Sequence, residues 1–126
     1  MNRSRVGLAN RGSRRDNVFH AMHLVRDDLI PKVADQVMLK PNFLSSKNQL
    51  ASSHADAIRG AIDFLLTCPD PPGEILIAEG GNEEHSGESF DNFGYPALVD
   101  EYDVEVRLID LHQEVAGSHL ENSFAA

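Results

Sequence analysis

The stretch Ile75-Leu76-Ile77-Ala78-Glu79-Gly80 decides the fold, because four apolar residues run together and are followed directly by an acid and a glycine. An apolar run without polar alternation is typical of a strand that is covered on both faces, as in a parallel sheet. The prolines and glycine between Pro69 and Gly73 separate this run from the preceding segment. We therefore predict that residues 75–78 form the most central strand of a parallel sheet.

Two helices are predicted on the amino-terminal side of this strand. Ser13 and Asp16 have the spacing of a capping box, and apolar residues then recur every three or four positions, which predicts a helix over residues 14–29. Ser53 and Asp56 repeat the capping pattern before a second apolar stripe. Both stripes would pack against the predicted sheet.

Three further strands are predicted around these helices. They cover residues 5–9, residues 36–40 and the alternating apolar residues of 104–108, while residues 88–93 and 97–102 give shorter helical pieces. Strands that alternate with helices fold through right-handed crossovers into a parallel sheet. We predict an α/β protein with a Rossmann-like three-layer fold and a short, mainly parallel four-stranded sheet.

Length and charge set the broad class of the protein. The 126 residues fit one domain, which we place at residues 1–110, with a poorly ordered tail at 111–126. A net charge of −9 disfavours nucleic acid and anionic membranes as partners, although residues 1–26 carry six arginines against one acid.

No apolar run is long enough to span a bilayer, so we expect a soluble, cytoplasmic protein. The single cysteine, Cys68, excludes an iron–sulfur cluster built by this chain alone.

The residues that follow the predicted strands are the candidates for a binding site, because ligands of open parallel sheets bind beyond the carboxyl ends of the strands. Arg14 and Arg15 stand at a predicted helix start and could hold an anion, with Lys40 adding a second positive charge. Asn42 could orient the ligand, and Glu79 would reject a second negative charge or hold a cation beside it. The alternative is that these residues are the polar side chains of ordinary solvated loops.

Two further groups of residues leave alternatives open. His54 stands in the first turn of the second helix and could either meet a ligand or cap the helix. A divalent cation could bind the acidic and imidazole side chains that follow the central strand, although their spacing fits no specific metal motif. These side chains are Glu79, Glu83, Glu84, His85 and Glu88. A solvated acidic loop is the other interpretation of this group, and we assign no metal ligands.

Several motifs resemble the domain of unknown function 362 family. They are residues 37–44, which contain Lys-Pro-Asn, residues 52–54 at a helix start, residues 75–80, which end in Glu-Gly, and residues 93–95 with a Gly-Tyr pair. The resemblance covers about residues 5–110. It implies a Rossmann-like α/β protein of the kind that is often joined to ferredoxin-type iron–sulfur modules, with an activity that is generally unassigned.

Carried over by position, the resemblance implies that Lys40, Asn42, His54, Glu79 and Gly80 face the site of the family. The chain departs from the family in its shorter length and in its lack of cysteine clusters, and Ala55 stands where a proline often follows. Its correspondence to the amino-terminal part of the family domain implies an incomplete sheet. An incomplete sheet has an unpaired edge, so we expect a homo-oligomer.

Two functions follow as expectations. The first is the binding of an anionic small molecule by a domain related to redox-associated proteins, and enzymatic activity is left open. The polar loop at residues 41–51 favours it, because long loops inside compact domains are often functional. The second is a non-catalytic interaction module, or an incomplete half-domain, that pairs with another chain. Metal-assisted hydrolysis is a minor third option, because the acidic group lacks a recognisable ligand spacing.

Overall fold

The computed structural model describes residues 3–80 and 86–114 and shows a mixed α/β fold around a parallel sheet. Its three strands are β1 (Gln36–Leu39), β2 (Glu74–Glu79) and β3 (Glu105–Asp110), in the spatial order β1-β2-β3. Both neighbours run parallel to β2. The predicted central position of residues 75–78 is therefore confirmed.

Five helices accompany the sheet in the described ranges. They are α1 (Arg14–Leu24), α2 (Arg26–Leu29), α3 (Ala55–Leu66), α4 (Ser86–Asn92) and α5 (Leu111–Glu114). Turns of 3₁₀ helix cover residues 30–32, 49–51 and 95–99. None of the helices in these ranges has both the length and the apolar character that a bilayer crossing needs.

The capping box predicted for the first helix is confirmed, but the helix is shorter than predicted. The Ser13 hydroxyl accepts a hydrogen bond from the Asp16 amide at 3.1 Å, and the Asp16 carboxylate accepts one from the Ser13 amide at 3.3 Å. At Val25 the backbone leaves helical geometry (φ −115°, ψ 21°), which divides the predicted helix into α1 and α2. The chain thus bends where we expected one continuous helix over residues 14–29.

The fourth strand, predicted at residues 5–9, is wrong. Residues 3–10 contain no strand, and the side chains of Val6 and Leu8 are 87% and 80% exposed. Gly7 instead lies against α1, since a Cβ atom built on it would stand 2.1 Å from the carbonyl oxygen of Ala21. A short apolar run cannot by itself distinguish a sheet strand from an extended segment that crosses a helix. The described sheet therefore has three strands.

One face of the sheet carries the main hydrophobic core. Ile75 and Ile77 of β2 are fully buried there, together with Ile62 and Phe64 of α3. Helix α1 packs onto α3 and has no buried residue of its own. Its side chains only border the core, so α3 is the principal helix of this layer.

The opposite face of the sheet carries a much smaller cluster. Leu76, Ala78 and Ile109 are buried there, and Leu111 of α5 packs against them. Among the described hydrophobic side chains, those of α1 and α3 join the core of the first face. The Rossmann-like three-layer arrangement is therefore not confirmed, although the coarser assignment to the α/β class is.

Gly60 sets the distance between α1 and α3. A Cβ atom at this position would stand 2.3 Å from the carbonyl oxygen of Arg15, which is far inside van der Waals contact. We expect Gly60→Ala to lower the free energy of unfolding by about 1–3 kcal/mol, because overpacking outweighs the helix preference of alanine, about 1 kcal/mol. Urea denaturation measures the difference.

Gly80→Ala is the matched control, because its Cβ would meet Leu111 at 3.6 Å, an ordinary contact. We expect its stability to change by less than about 0.5 kcal/mol. A Gly60→Ala protein at least as stable as the wild type would show that the two helices can move apart without cost.

Candidate functional site

Lys40 and Glu79 meet at the carboxyl edge of the sheet, one residue after β1 and at the last residue of β2. The Lys40 Nζ atom lies 2.7 Å from Oε2 of Glu79. Glu79 is only 5% exposed, whereas the side chain of Lys40 is 56% exposed. The pair therefore fixes an ammonium group over the sheet edge while that group still faces solvent.

The surroundings of Glu79 explain how a carboxylate is buried at this position. Burying a charged carboxylate is costly unless it is paired and hydrogen-bonded. Besides Lys40, the backbone amide of Gly80 donates to Oε1 of Glu79 at 2.9 Å. Burial and, secondly, the charge of Glu79 raise the pKa of the Tyr95 phenol above its usual range. The carboxylate at the end of the central strand is thus buried and hydrogen-bonded through both of its oxygens.

Hydrogen bonds that involve backbone groups and the hydroxyls of Ser53 and Tyr95 hold the segment after Lys40 against the start of α3. The Asn42 amide donates to Oγ of Ser53 at 2.9 Å, and the Ser53 amide donates to the Asn42 carbonyl at 2.8 Å. The Tyr95 hydroxyl donates to the Ser53 carbonyl at 2.9 Å. Asn42 itself is exposed at the surface. Its position is therefore held by the backbone, while its side-chain amide faces solvent.

His54 caps α3. Its Nδ1 atom accepts a hydrogen bond from the Asp56 amide at 3.0 Å, so the N-cap is His54 rather than the Ser53 that the capping pattern suggested. Of the two alternatives for His54, the structure shows the capping role. The Ser53 hydroxyl is engaged by Asn42 instead, which explains why it does not cap the helix.

Arg15 has a different partner from Lys40. Its guanidinium donates to both oxygens of Asp63 on α3, with NH2 at 2.8 Å from Oδ1, and this pairing raises the pKa of Arg15. Arg14 is exposed on the first turn of α1. Because residues 5–9 form no strand, the arrangement that was expected to place these arginines beside Lys40 is absent. The structure thus brings together Lys40, Glu79 and Gly80, with Asn42 and His54 on the adjoining segments.

Two further residues lie at this edge, Asp110 at the end of β3 and His112 in α5. The register places Asp110 opposite Glu79, and the His112 amide donates to Oδ1 of Asp110 at 3.0 Å. His112 lies in α5, which covers the first four residues of the predicted tail, whereas residues 115–126 of that tail lie outside the described ranges. The sequence signal was an aspartate immediately before a helix, which is a common capping arrangement.

The predicted cation group lies mostly outside the described residues. Glu83, Glu84 and His85 are not described, and Glu88 is exposed on α4. Within residues 3–80 and 86–114, no three His, Cys, Asp or Glu side chains are grouped to hold a metal. A divalent cation at this edge therefore stays a prediction.

No family model, no curated protein and no solved structure matches the chain. The resemblance to the domain of unknown function 362 family therefore remains a hypothesis based on the motifs quoted above.

Two tyrosines provide a test of the site network. The Tyr95 hydroxyl donates to the Ser53 carbonyl, whereas the buried Tyr102 hydroxyl has no hydrogen-bond partner among the described residues. We expect Tyr95→Phe to lower the free energy of unfolding by about 0.5–1.5 kcal/mol, the usual net value of one hydrogen bond. Tyr102→Phe should be neutral or stabilising, because it removes a buried polar group without a partner. Thermal denaturation of both variants makes the comparison, and equal losses would contradict it.

Proposed function

We propose that this chain is a small-molecule-binding α/β domain that holds an anionic ligand at the carboxyl edge of its sheet. Lys40 is the main contact and Asn42 orients the ligand. The observation that carries the proposal is the contact of 2.7 Å between Nζ of Lys40, whose side chain is half-exposed, and the buried carboxylate of Glu79. This pair occupies the end of the central strand, where parallel sheets commonly bind ligands.

The ion pair leaves Lys40 able to bind a second group. A lysine ammonium has three donors, and Glu79 takes one of them. The remaining donors can reach an anion, because more than half of the side chain is open to solvent. Glu79 acts as a positioning residue, since it holds the flexible lysine side chain in place before the ligand arrives and so reduces the entropy lost on binding.

The charge of the pair restricts the ligand. Lys40 and Glu79 together carry no net charge, so the pair has no surplus positive charge to hold more than one anionic group. A second negative charge on the ligand would be repelled by Glu79. We therefore infer a ligand with one anionic group, such as a carboxylate, rather than a polyphosphate.

The motif residues give a reason to propose kinship with the domain of unknown function 362 family. The Lys-Pro-Asn element and the Glu-Gly element lie at the carboxyl ends of neighbouring strands, and their charged members, which are 39 residues apart in the chain, are in contact. Such a contact is the expected result if both elements belong to one site. The proposal extends to a redox-associated role only through this resemblance.

Calorimetric titration with acetate and with inorganic phosphate tests the proposed site. We expect Lys40→Met to weaken acetate binding at least tenfold, because it removes a hydrogen bond to a charged group, about 1.5–3 kcal/mol. Asn42→Ala changes an exposed side chain and should weaken binding without affecting the fold. Lys47→Ala, at another exposed lysine, is the matched control and should bind like the wild type.

The outcome separates the proposal from the alternatives. Thermal melts of each variant show whether the protein is folded, since Lys40→Met leaves the buried carboxylate of Glu79 without its lysine. Unchanged acetate affinity in folded Lys40→Met and Asn42→Ala proteins would remove both residues from the site. Tighter binding of phosphate than of acetate would contradict the restriction to one charge.

An interaction module is the second candidate, and the edge of the sheet favours it. Within the described ranges β1 pairs with β2 alone, and Met38 on this strand is 41% exposed. An unpaired strand edge presents backbone donors and acceptors that another chain can use. We propose that a second copy of the chain pairs along β1, giving a homo-oligomer.

Sedimentation over a wide concentration range tests this pairing. We expect the wild type to self-associate and Met38→Lys to stay monomeric, because a lysine at the exposed edge opposes strand pairing. Leu50→Lys is the control at a highly exposed leucine in the 3₁₀ turn of residues 49–51. A wild type that is monomeric at all concentrations, or a Met38→Lys protein that associates equally well, would contradict the edge as the interface.

A further inference from the structure

Two depressions on the surface share one side chain, that of Lys32. The first is a polar pocket of about 330 Å³ whose lining contains Arg3, Arg5 and Asp28 in addition to Lys32. The second is an apolar groove of about 190 Å³ beside β1, which Lys32 also borders. The apolar lining includes Met22, Leu29, Val33, Val37, Leu39 and Phe64. We call the polar pocket the polar end and the apolar groove the apolar end of one composite site, since Lys32 borders both.

The polar end has an excess of positive charge. Arg3, Arg5 and Lys32 line it, against the single carboxylate of Asp28. Arg5 donates through Nε to Oδ2 of Asp28 at 2.8 Å, and Asp27 approaches Arg5 at 3.8 Å. The hydrogen bond from Arg5 and, to a smaller extent, the charge of Lys32 lower the pKa of Asp28. Arg3 and Lys32 form no ion pair with another described residue, so these two cations are left for a further anion.

The apolar end is open because β1 is the edge strand of the described sheet. Val37 and Leu39 are only partly buried on the core face of β1, and no described strand lies beyond them. Leu29 approaches from α2 and Val33 from the segment before β1, so the groove runs between the helical layer and the strand edge. Exposed apolar surface of this kind is stabilised by covering it with an apolar group.

We propose that this composite site binds a small amphiphile with one anionic head group and one short, unbranched apolar chain. The head group lies among Arg3, Arg5 and Lys32, and the chain lies in the groove along Val37 and Leu39. Charge complementarity selects the head group, since three of the four charged side chains that line the polar end are cations. This site differs from the one proposed at Lys40, because neither Lys40 nor Glu79 lines either depression.

The size of the groove limits the chain. A volume of about 190 Å³ is smaller than the roughly 300–1,000 Å³ of typical drug-sized pockets, which favours a short acyl chain over a long one. Each methylene that the groove buries should strengthen binding about fourfold, from about 0.8 kcal/mol per methylene. Affinity should therefore rise steeply with chain length until the groove is filled.

Calorimetric titration of the full chain with butanoate, hexanoate and octanoate is the test. We expect octanoate to bind more than tenfold tighter than butanoate, where burial of all four extra methylenes would give about 200-fold. Octylammonium, which has the same chain and the opposite charge, should bind at least tenfold more weakly than octanoate. Lys32→Glu should reduce octanoate binding at least tenfold, while Lys47→Glu, a matched charge reversal at another exposed lysine, should not.

The wild-type series keeps the test independent of the folding of any variant. Affinity that does not rise with chain length, or equal binding of octanoate and octylammonium, would overturn the proposal. Sedimentation of the same samples shows whether a second copy of the chain covers the groove instead. The proposal is also overturned if the wild type is a dimer that binds no octanoate and the Met38→Lys monomer binds none either.

Discussion

The burial of β2 on both faces is the constraint on which the rest of the structure depends. This strand pairs along both edges and is covered on both faces, so the side chain of its last residue, Glu79, is buried. A carboxylate there needs a cation, and Lys40, which directly follows the parallel strand β1, supplies it. The proposed binding site is therefore a direct result of placing an acid at the end of a buried strand.

The sequence predicted those features that depend on local pattern. The apolar run at residues 75–78 has one simple interpretation, and the Ser13 capping box is complete within four residues. The strand predicted at residues 5–9 failed because its few apolar residues carry no information about whether a sheet face is available to them. The break at Val25 was missed because the apolar period continues across it.

The candidate site was predictable only in part, for a related reason. Lys40 and Glu79 follow predicted strands, so topology alone indicated that they share an edge. Arg15 and Asp63 are 48 residues apart on two packed helices, and the choice between them and other charged partners depends on the rotation of both helices, which no local pattern records. The same limit applies to Tyr95, whose hydrogen bond to Ser53 joins the 3₁₀ turn of residues 95–99 to the segment before α3.

The absence of any buried residue in α1 has a consequence for the dynamics of the protein. This helix rests on α3 through partly buried side chains such as Phe19 and is tied to it by the contact of Arg15 with Asp63, whereas residues 75–79 of β2 are buried. Segments with few buried apolar contacts open at lower free energy than the global unfolding reaction. We therefore expect the amide hydrogens of α1 to exchange with solvent before those of β2. Met22 of α1 lines the groove beside β1, so a local opening of α1 would also change the lining of that groove.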